Sequence, residues 1–344
     1  MRLSRDSVKR NFLYAAPIMI VRTGLTGPFP RSEALVAATR DLDRGRTTAE
    51  AVDELFLHAE REVRSLEERL GLDVITAGYL RWPDLFRPIA ETWDGFTVGP
   101  LTRWFETNTF YRQPILNAPP QRRPGALVGR LPAALKEVPA NRVKVILPGP
   151  YTFAGLLDNR SGETTEALIH RLGRLLTEEL RELRALGYAT FHFQEPLLAV
   201  EPPDGPRAEA VIAAYRSIAP AADGGTTLLW TYFGDGGPIF PLLRRLPVSV
   251  VGIDLAETDW ERLPDTPSSQ GLGLGCIDPR TTLVEDAGEV ARIVRALSER
   301  LRPPVLWLGP GGPLDLLPWE PATRKLHLLA AARQVLTLSE GGAR

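Results

Sequence analysis

The chain has 344 residues, 44% hydrophobic and 24% charged, with a formal net charge of -1. This ordinary globular composition fits two average domains or one large barrel with insertions. A charge near zero gives no electrostatic reason to expect nucleic acid or an anionic membrane as a partner. The single cysteine, Cys276, excludes an internal disulfide, so we expect a reducing, cytoplasmic setting.

The first apolar run extends from Phe12 to Val21 after a basic start. Pro17 interrupts it and no small-residue cleavage pattern follows, so we interpret it as a first strand rather than a signal peptide. No apolar run approaches the roughly 20 residues needed to span a bilayer. The sequence therefore predicts no membrane association.

Eight short apolar segments, most followed by an amphipathic pattern, organise the chain. Their continuous apolar character indicates parallel strands covered on both faces, and the helical spacing between them indicates crossover helices. Thr47 with Glu50 and Thr282 with Glu285 predict capping boxes at two helix starts. The predicted strands are 17–23, 72–77, 143–147, 189–193, 226–232, 249–254, 271–277 and 304–308. One predicted helix begins at residue 47, and four more cover residues 163–186, 207–218, 285–300 and 320–337.

This alternation predicts an α/β fold, a single (β/α)8 TIM barrel over residues 1–344. An open doubly wound sheet is the rival, but no G-x-G-x-x-G opens a helix. An insertion of about residues 79–135 follows the second strand and is rich in aromatic residues and arginine. It is interpreted either as a lid or side layer with its own small core, or as a substrate-facing cover.

Candidate site residues are those at the carboxyl ends of the strands, where such barrels place their active sites. The charged candidates are Glu195, Asp254, Asp278 and Arg280, which also fit a structural ion network at the rim. The other positions at the mouth are the loop 26–31, residues 76–79, Tyr151 with Thr152, Gln194, residues 230–235 and the glycine-rich loop 309–315.

Histidine and cysteine positions argue against a metal site. Of the four histidines, His58, His170 and His327 lie in helical patterns, and no His-x-x-x-His or Glu-x-x-His spacing occurs. One thiol cannot supply a zinc site with two thiolates. The sequence itself therefore predicts no bound metal.

Several stretches together resemble the catalytic barrel of cobalamin-independent methionine synthase, especially its short single-barrel relatives. They occur in the family order and span nearly the whole chain. The matching stretches are Gly27-Pro28-Phe29-Pro30-Arg31-Ser32, residues 71–78, residues 99–105 with Asn108, residues 110–114, residues 144–152, Gln194-Glu195-Pro196-Leu197 and residues 273–278.

The resemblance implies methyl transfer from a folate to the thiolate of homocysteine on a zinc ion held by His, Cys, Glu and Cys. In this chain the His-x-Cys positions are Trp230 and Tyr232, the glutamate position is Asp254, and the last cysteine falls at Gly311-Gly312. Zinc is thus expected from the family, but its His and Cys ligands are absent.

The resemblance also assigns roles around the substrate. The substrate-binding set that we predict comprises Thr26, Gly27, Tyr79, Tyr151, Gln194, Trp230, Tyr232 and Asp254, and the catalytic set comprises Glu195, Asp278 and Arg280. Tyr79 and Gln194 stand where the family has acidic residues for the substrate amino group, and Arg280 stands where it has a histidine acid. Trp230 and Tyr232 can stack on a planar pterin, and Arg280 can pair with a carboxylate.

Three functions remain open. The first is a divergent methyltransferase that acts on homocysteine or another small thiol, with a folate or corrinoid donor and no zinc. The second is a non-catalytic barrel that partners a zinc-bearing homologue, and a corrinoid protein is a further possible partner. The third is a metal-free decarboxylase or lyase of the superfamily that includes uroporphyrinogen decarboxylase, with Asp278 and Arg280 in place of a metal.

Overall fold

The structure is a computed structural model that describes residues 20–265, 267 and 269–341, with side chains described up to residue 337. Residues 17–19 of the predicted first strand lie outside this range. Within it there are ten strands: β1 (Ile20–Thr23), β2 (Asp94–Arg103), β3 (Phe110–Gln121), β4 (Lys144–Pro148), β5 (Asp158–Asn159), β6 (Thr190–Gln194), β7 (Thr226–Trp230), β8 (Val250–Asp254), β9 (Gly271–Ile277) and β10 (Val305–Pro310).

Seven of these strands form one curled parallel sheet in the order β1-β10-β9-β8-β7-β6-β4. The predicted third to eighth strands are each found within about two residues of their predicted ends. Their side chains are almost entirely buried, which is the pattern of a parallel sheet covered on both faces.

Residues 72–76 close the sheet into a barrel. The amide of Asp73 donates to the carbonyl of Thr23 at one edge, and Ile75 pairs with Val143 at the other. The prediction of a regular strand over 72–77 was therefore wrong, because this segment pairs with its neighbour through one isolated β-bridge. The chain turns away through Ala77, Gly78 and Tyr79, which all have positive φ angles of 51°, 73° and 51°.

The helices are α1 (Glu33–Asp43), α2 (Ala49–Arg69), α3 (Arg87–Thr92), α4 (Pro150–Leu156), α5 (Thr165–Ala185), α6 (Pro196–Val200), α7 (Gly205–Ile218), α8 (Phe240–Leu243), α9 (Ala287–Leu301) and α10 (Trp319–Gly341). Both predicted capping boxes were misplaced: Thr48 caps α2 and Asp286 caps α9. Helices α1, α3, α4, α6 and α8 were not predicted from the sequence. In the part of the chain that is described, no helix is long and apolar enough to cross a membrane.

The segment 79–135 contains an antiparallel hairpin, β2 with β3, beside the barrel. Its aromatic rings pack together: Phe86 stacks on Phe153 of α4 at 5.1 Å between centroids and meets Trp104 edge-on. At the tip, Phe105 lies 5.5 Å from Phe233, which follows β7. The hairpin thus reaches from its own aromatic core to the rim of the barrel.

Candidate active site at the barrel mouth

The amide side chain of Gln194, at the end of β6, is held from two sides. Its Nε2 donates to the backbone carbonyl of Thr26 at 2.8 Å, and its Oε1 accepts from the hydroxyl of Tyr232 at 2.7 Å. All three residues are at most 1% exposed. A Cβ on Gly27 would lie 2.7 Å from Pro313, so this glycine permits the close approach of two mouth loops. Four predicted binding residues are thereby brought into one cluster.

Glu195 is a buried carboxylate that bridges the N-terminus of α4 and Tyr215 of α7. It accepts from the amides of Tyr151 and Thr152 at 3.1 and 2.7 Å, and from the hydroxyl of Tyr215 at 3.0 Å. Burial raises the pKa of Glu195 to about 7, although these hydrogen bonds act in the opposite direction. The hydroxyl of Tyr151 donates to the carbonyl of Glu201 at 2.7 Å. The geometry makes Glu195 an anchor for the N-terminus of α4, which follows β4.

Trp230, at the end of β7, lies across the inner faces of the adjacent strands. A Cβ on Gly252 of β8 would lie 2.3 Å from its ring, and one on Gly273 of β9 would lie 2.4 Å from it. Two glycines in neighbouring strands therefore leave the space that the indole fills. The indole is 2% exposed, and its Nε1 has no hydrogen-bond partner among the described residues.

The charged candidates Asp254, Asp278 and Arg280 meet at the rim. Arg280, with its side chain 34% exposed, forms ion pairs with Glu257 and with Asp278, the latter at 3.3 Å. Burial raises the pKa of Asp254 to about 6, while the nearby Arg280 acts to lower it. Asp254 Oδ1 accepts from the amide of Ala256, whereas Oδ2 finds no partner within the residues described. The mouth therefore carries one buried carboxylate oxygen without a hydrogen-bond partner among the described residues.

Tyr79 lies apart from these groups. Its hydroxyl donates to the carbonyl of Lys144 at 3.2 Å and accepts from the amide of Ile146 at 2.9 Å. These are edge groups of β4, which the irregular segment 72–76 leaves unpaired. Burial raises the pKa of the Tyr79 phenol above its usual range. In this structure Tyr79 completes the barrel wall.

The residues at the family's zinc-ligand positions do not fit zinc. The indole of Trp230 packs on glycines, the hydroxyl of Tyr232 is bonded to Gln194, and Gly311 has no side chain. Cys276 donates to the carbonyl of Gly309 on β10 at 3.7 Å, and burial raises its pKa to about 12. Across residues 20–265, 267 and 269–341, no group of three or more His, Cys, Asp or Glu could hold a metal ion.

Two buried interior residues, His192 of β6 and Lys144 of β4, have no role predicted from the sequence. Both ring nitrogens of His192 are buried without a hydrogen-bond partner in the described part of the chain. Lys144 donates from Nζ to the carbonyl of Leu25. The alternation Thr-Phe-His-Phe-Gln over 190–194 was an available signal, because it places His192 on the same face as Gln194.

Fold and site together define the class: a (β/α)8 barrel with a buried polar cluster at the carboxyl ends of its strands. The family model described as "Cobalamin-independent synthase, N-terminal domain" matches residues 93–302, more than half of the chain. The chain belongs to the cobalamin-independent methionine synthase family.

The relatives agree with this assignment over nearly full length. A methionine synthase of Sulfolobus acidocaldarius is 26% identical over 313 residues, 90% of each chain, and one of Saccharolobus solfataricus is 25% identical over 92% of this chain and 95% of its own. Among solved structures, a B12-independent methionine synthase from a Shewanella species, in complex with selenomethionine, has a TM-score of 0.72 at 17% identity. It covers 94% of this chain and 99% of its own, which supports the barrel fold.

Proposed function

We propose that this protein is a methyltransferase of the methionine-synthase type that works without the family's zinc. It transfers a methyl group from a folate or corrinoid donor to homocysteine or another small thiol. The observation that carries this proposal is the fixed polar cluster in which Gln194 is held between Thr26 and Tyr232 at the mouth. Such a rigid, buried arrangement is what positioning a small polar substrate requires.

Each predicted site residue has a role in this proposal. Gln194 and Oδ2 of Asp254 bind polar groups of the acceptor, and Arg280 at the rim pairs with a carboxylate of the donor or acceptor. Glu195 is a positioning residue, because its oxygens are occupied by the N-terminus of α4. In the transfer, the acceptor sulfur forms a bond to the methyl carbon as the bond between that carbon and the donor breaks, and the donor keeps the electron pair.

In this proposal the hairpin of β2 and β3 covers the barrel mouth. Its tip residue Phe105 contacts Phe233, which in turn meets Tyr232 edge-on at 4.7 Å. Phe105 and Phe233 both have positive φ angles, 49° and 66°, which is strained for an aromatic residue. We infer that access to the mouth requires this contact to open, so Phe105→Ala is expected to change the KM for the acceptor more than the thermal stability.

The test is methyl transfer by purified protein with homocysteine as acceptor and methyl-folate or methylcobalamin as donor. Tyr232→Phe frees Gln194 and is expected to lower kcat/KM by about tenfold or more, whereas Tyr188→Phe serves as a matched tyrosine control away from the mouth. Absence of a methylated thiol with every donor and acceptor pair would contradict the proposal.

A second candidate is a non-catalytic barrel that partners a zinc-bearing homologue. It is favoured by the packed, non-ligating residues Trp230, Tyr232 and Gly311 at the zinc positions, and by the match to an N-terminal domain. This candidate predicts a stable complex with such a homologue in light scattering, and a higher rate of methyl transfer by the homologue in the complex. Two separate species with unchanged activity would count against it.

A further inference from the structure

The interior of the barrel contains nitrogen atoms that lack a hydrogen-bond partner within the described residues. Nδ1 and Nε2 of His192 and Nε1 of Trp230 have no hydrogen-bond partner among the residues that the structure describes. The two side chains are 0% and 2% exposed. Buried polar groups in folded proteins are almost always hydrogen-bonded, and leaving one unpaired costs about 1–3 kcal/mol. Three such nitrogens on two neighbouring side chains leave unused hydrogen-bonding capacity at one place in the interior.

The two rings form one locus. His192 of β6 and Trp230 of β7 lie on adjacent strands, with ring centroids 5.6 Å apart and an interplanar angle of 48°. The Cε3 and Cζ3 atoms of the indole rest on Gly252 and Gly273, so its N–H lies on the opposite edge, away from the glycines. The indole is therefore fixed in orientation while its donor remains unused.

The charge around this locus favours an anion. Lys144, 2% exposed on β4 next to β6, is close enough to contribute to the lowered pKa of His192, whose main cause is burial. A neutral imidazole still carries one N–H donor, and the indole N–H can only donate. Burial lowers the pKa of Lys144 to about 7, while Glu67 acts to raise it. The two N–H donors suit a compact anionic atom, and the protonated form of Lys144 adds a positive charge.

We propose that His192 and Trp230 form a metal-free sulfur subsite, in which their N–H groups hydrogen-bond the thiolate of the methyl acceptor. The inference rests on the proposed function for the identity of the acceptor as a thiol. On binding, the S–H bond breaks and its proton passes to solvent; no other bond changes. N–H donors and a nearby cation lower a thiol pKa by favouring the charged form. The subsite would thus replace the role that zinc has in the family.

The experiment is a titration of metal-stripped protein with homocysteine and, separately, with 3-mercaptopropionate, in the absence of any methyl donor. Thiolate is followed by its ultraviolet absorbance and proton release by a pH indicator in weak buffer. Wild-type protein is expected to release up to one proton per bound thiol near neutral pH, and methionine, which has no S–H group, is expected to release none.

Two variants test the assigned atoms. Trp230→Phe keeps an aromatic ring and removes the N–H, and His192→Leu removes both ring nitrogens; each is expected to weaken thiolate binding by about tenfold or more. Trp260→Phe, in the loop after β8, where the Trp260 carbonyl accepts from Arg300 of α9, is the matched control and is expected to leave binding unchanged. Thermal unfolding establishes that each variant is folded, and either variant alone suffices for the test.

The outcomes separate this inference from the proposed function. Proton release that depends on Trp230 or His192, without methyl transfer by any donor, would support the subsite and remove the methyltransferase proposal. Methyl transfer with unchanged KM and unchanged proton release in both variants would overturn the subsite and leave the methyltransferase proposal standing. Failure of the wild-type protein to bind either thiol as thiolate would also overturn the subsite.

Discussion

Substitution of Gly252 by alanine tests whether the indole of Trp230 occupies the interior as described. The new Cβ would lie 2.3 Å from two ring atoms, where carbon atoms pack best at about 3.5–4.0 Å. The ring or the strand must therefore move by more than about 1 Å in a close-packed interior. Overpacking of this kind costs about 1–3 kcal/mol. At about 2.1 cal/mol/K per residue, this lowers the Tm of a chain this long by about 1–4 °C.

Urea unfolding and calorimetry measure the effect. Gly129→Ala is the matched control, because a Cβ at Gly129 meets nothing within 4 Å, and it is expected not to destabilise. In a Trp230→Leu background the cost of Gly252→Ala is expected to fall below about 0.5 kcal/mol, since the two changes share one contact. Two results would show that the indole does not lie against Gly252. One is equal stability of Gly252→Ala and Gly129→Ala. The other is a loss of stability from Gly252→Ala that is as large in the Trp230→Leu background as in the wild type.

Further predictions concern the hydrogen bonds at the mouth. Tyr232→Phe leaves Gln194 Oε1 buried without its donor and is expected to lower the free energy of unfolding by about 1–3 kcal/mol, against less than about 0.5 for Tyr188→Phe, as measured by urea unfolding. Because burial raises the pKa of Glu195 to about 7, the folded state binds a proton that the unfolded state releases near pH 4.5. The protonated Glu195 side chain therefore stabilises the folded state fully below about pH 4.5, and this stabilisation is lost as the pH rises to about 7. The stability of the wild type relative to Glu195→Gln should fall by about 1–3 kcal/mol across that window, and a flat difference would contradict the assignment.

The strands of the barrel could be predicted because each is a continuous apolar run that parallel pairing requires. The segment 72–77 has the same composition, yet it makes one bridge, from Ile75 to Val143, before residues 77–79 with positive φ turn the chain away. The hydroxyl of Tyr79 then makes hydrogen bonds to the β4 backbone that a paired strand would otherwise make. No local sequence pattern indicates this role. The prediction of a cap at Thr47 failed because Thr48 competes at the adjacent position, whereas the cap of α9 lies four residues beyond Thr282, at Asp286.

The composition of the mouth could also be predicted, because parallel strands bring their carboxyl ends to one edge. This placed Thr26, Gln194 and Tyr232 together before any contact was known. The contacts themselves depend on long-range packing: Gln194 and Thr26 are 168 residues apart in sequence. His192 was overlooked because a lone histidine within an apolar strand resembles a core residue, and its unpaired nitrogens are visible only in three dimensions.

The central claim is that a family member without the zinc ligands still transfers a methyl group to a thiol. The most direct test is to measure methionine formation from homocysteine by protein freed of metal with a chelator, and again after zinc is added. Methionine is expected at the same rate in both samples, and Trp230→Phe is expected to lower that rate by about tenfold or more. Activity that appears only with zinc, or no methionine with either a folate or a corrinoid donor, would contradict it.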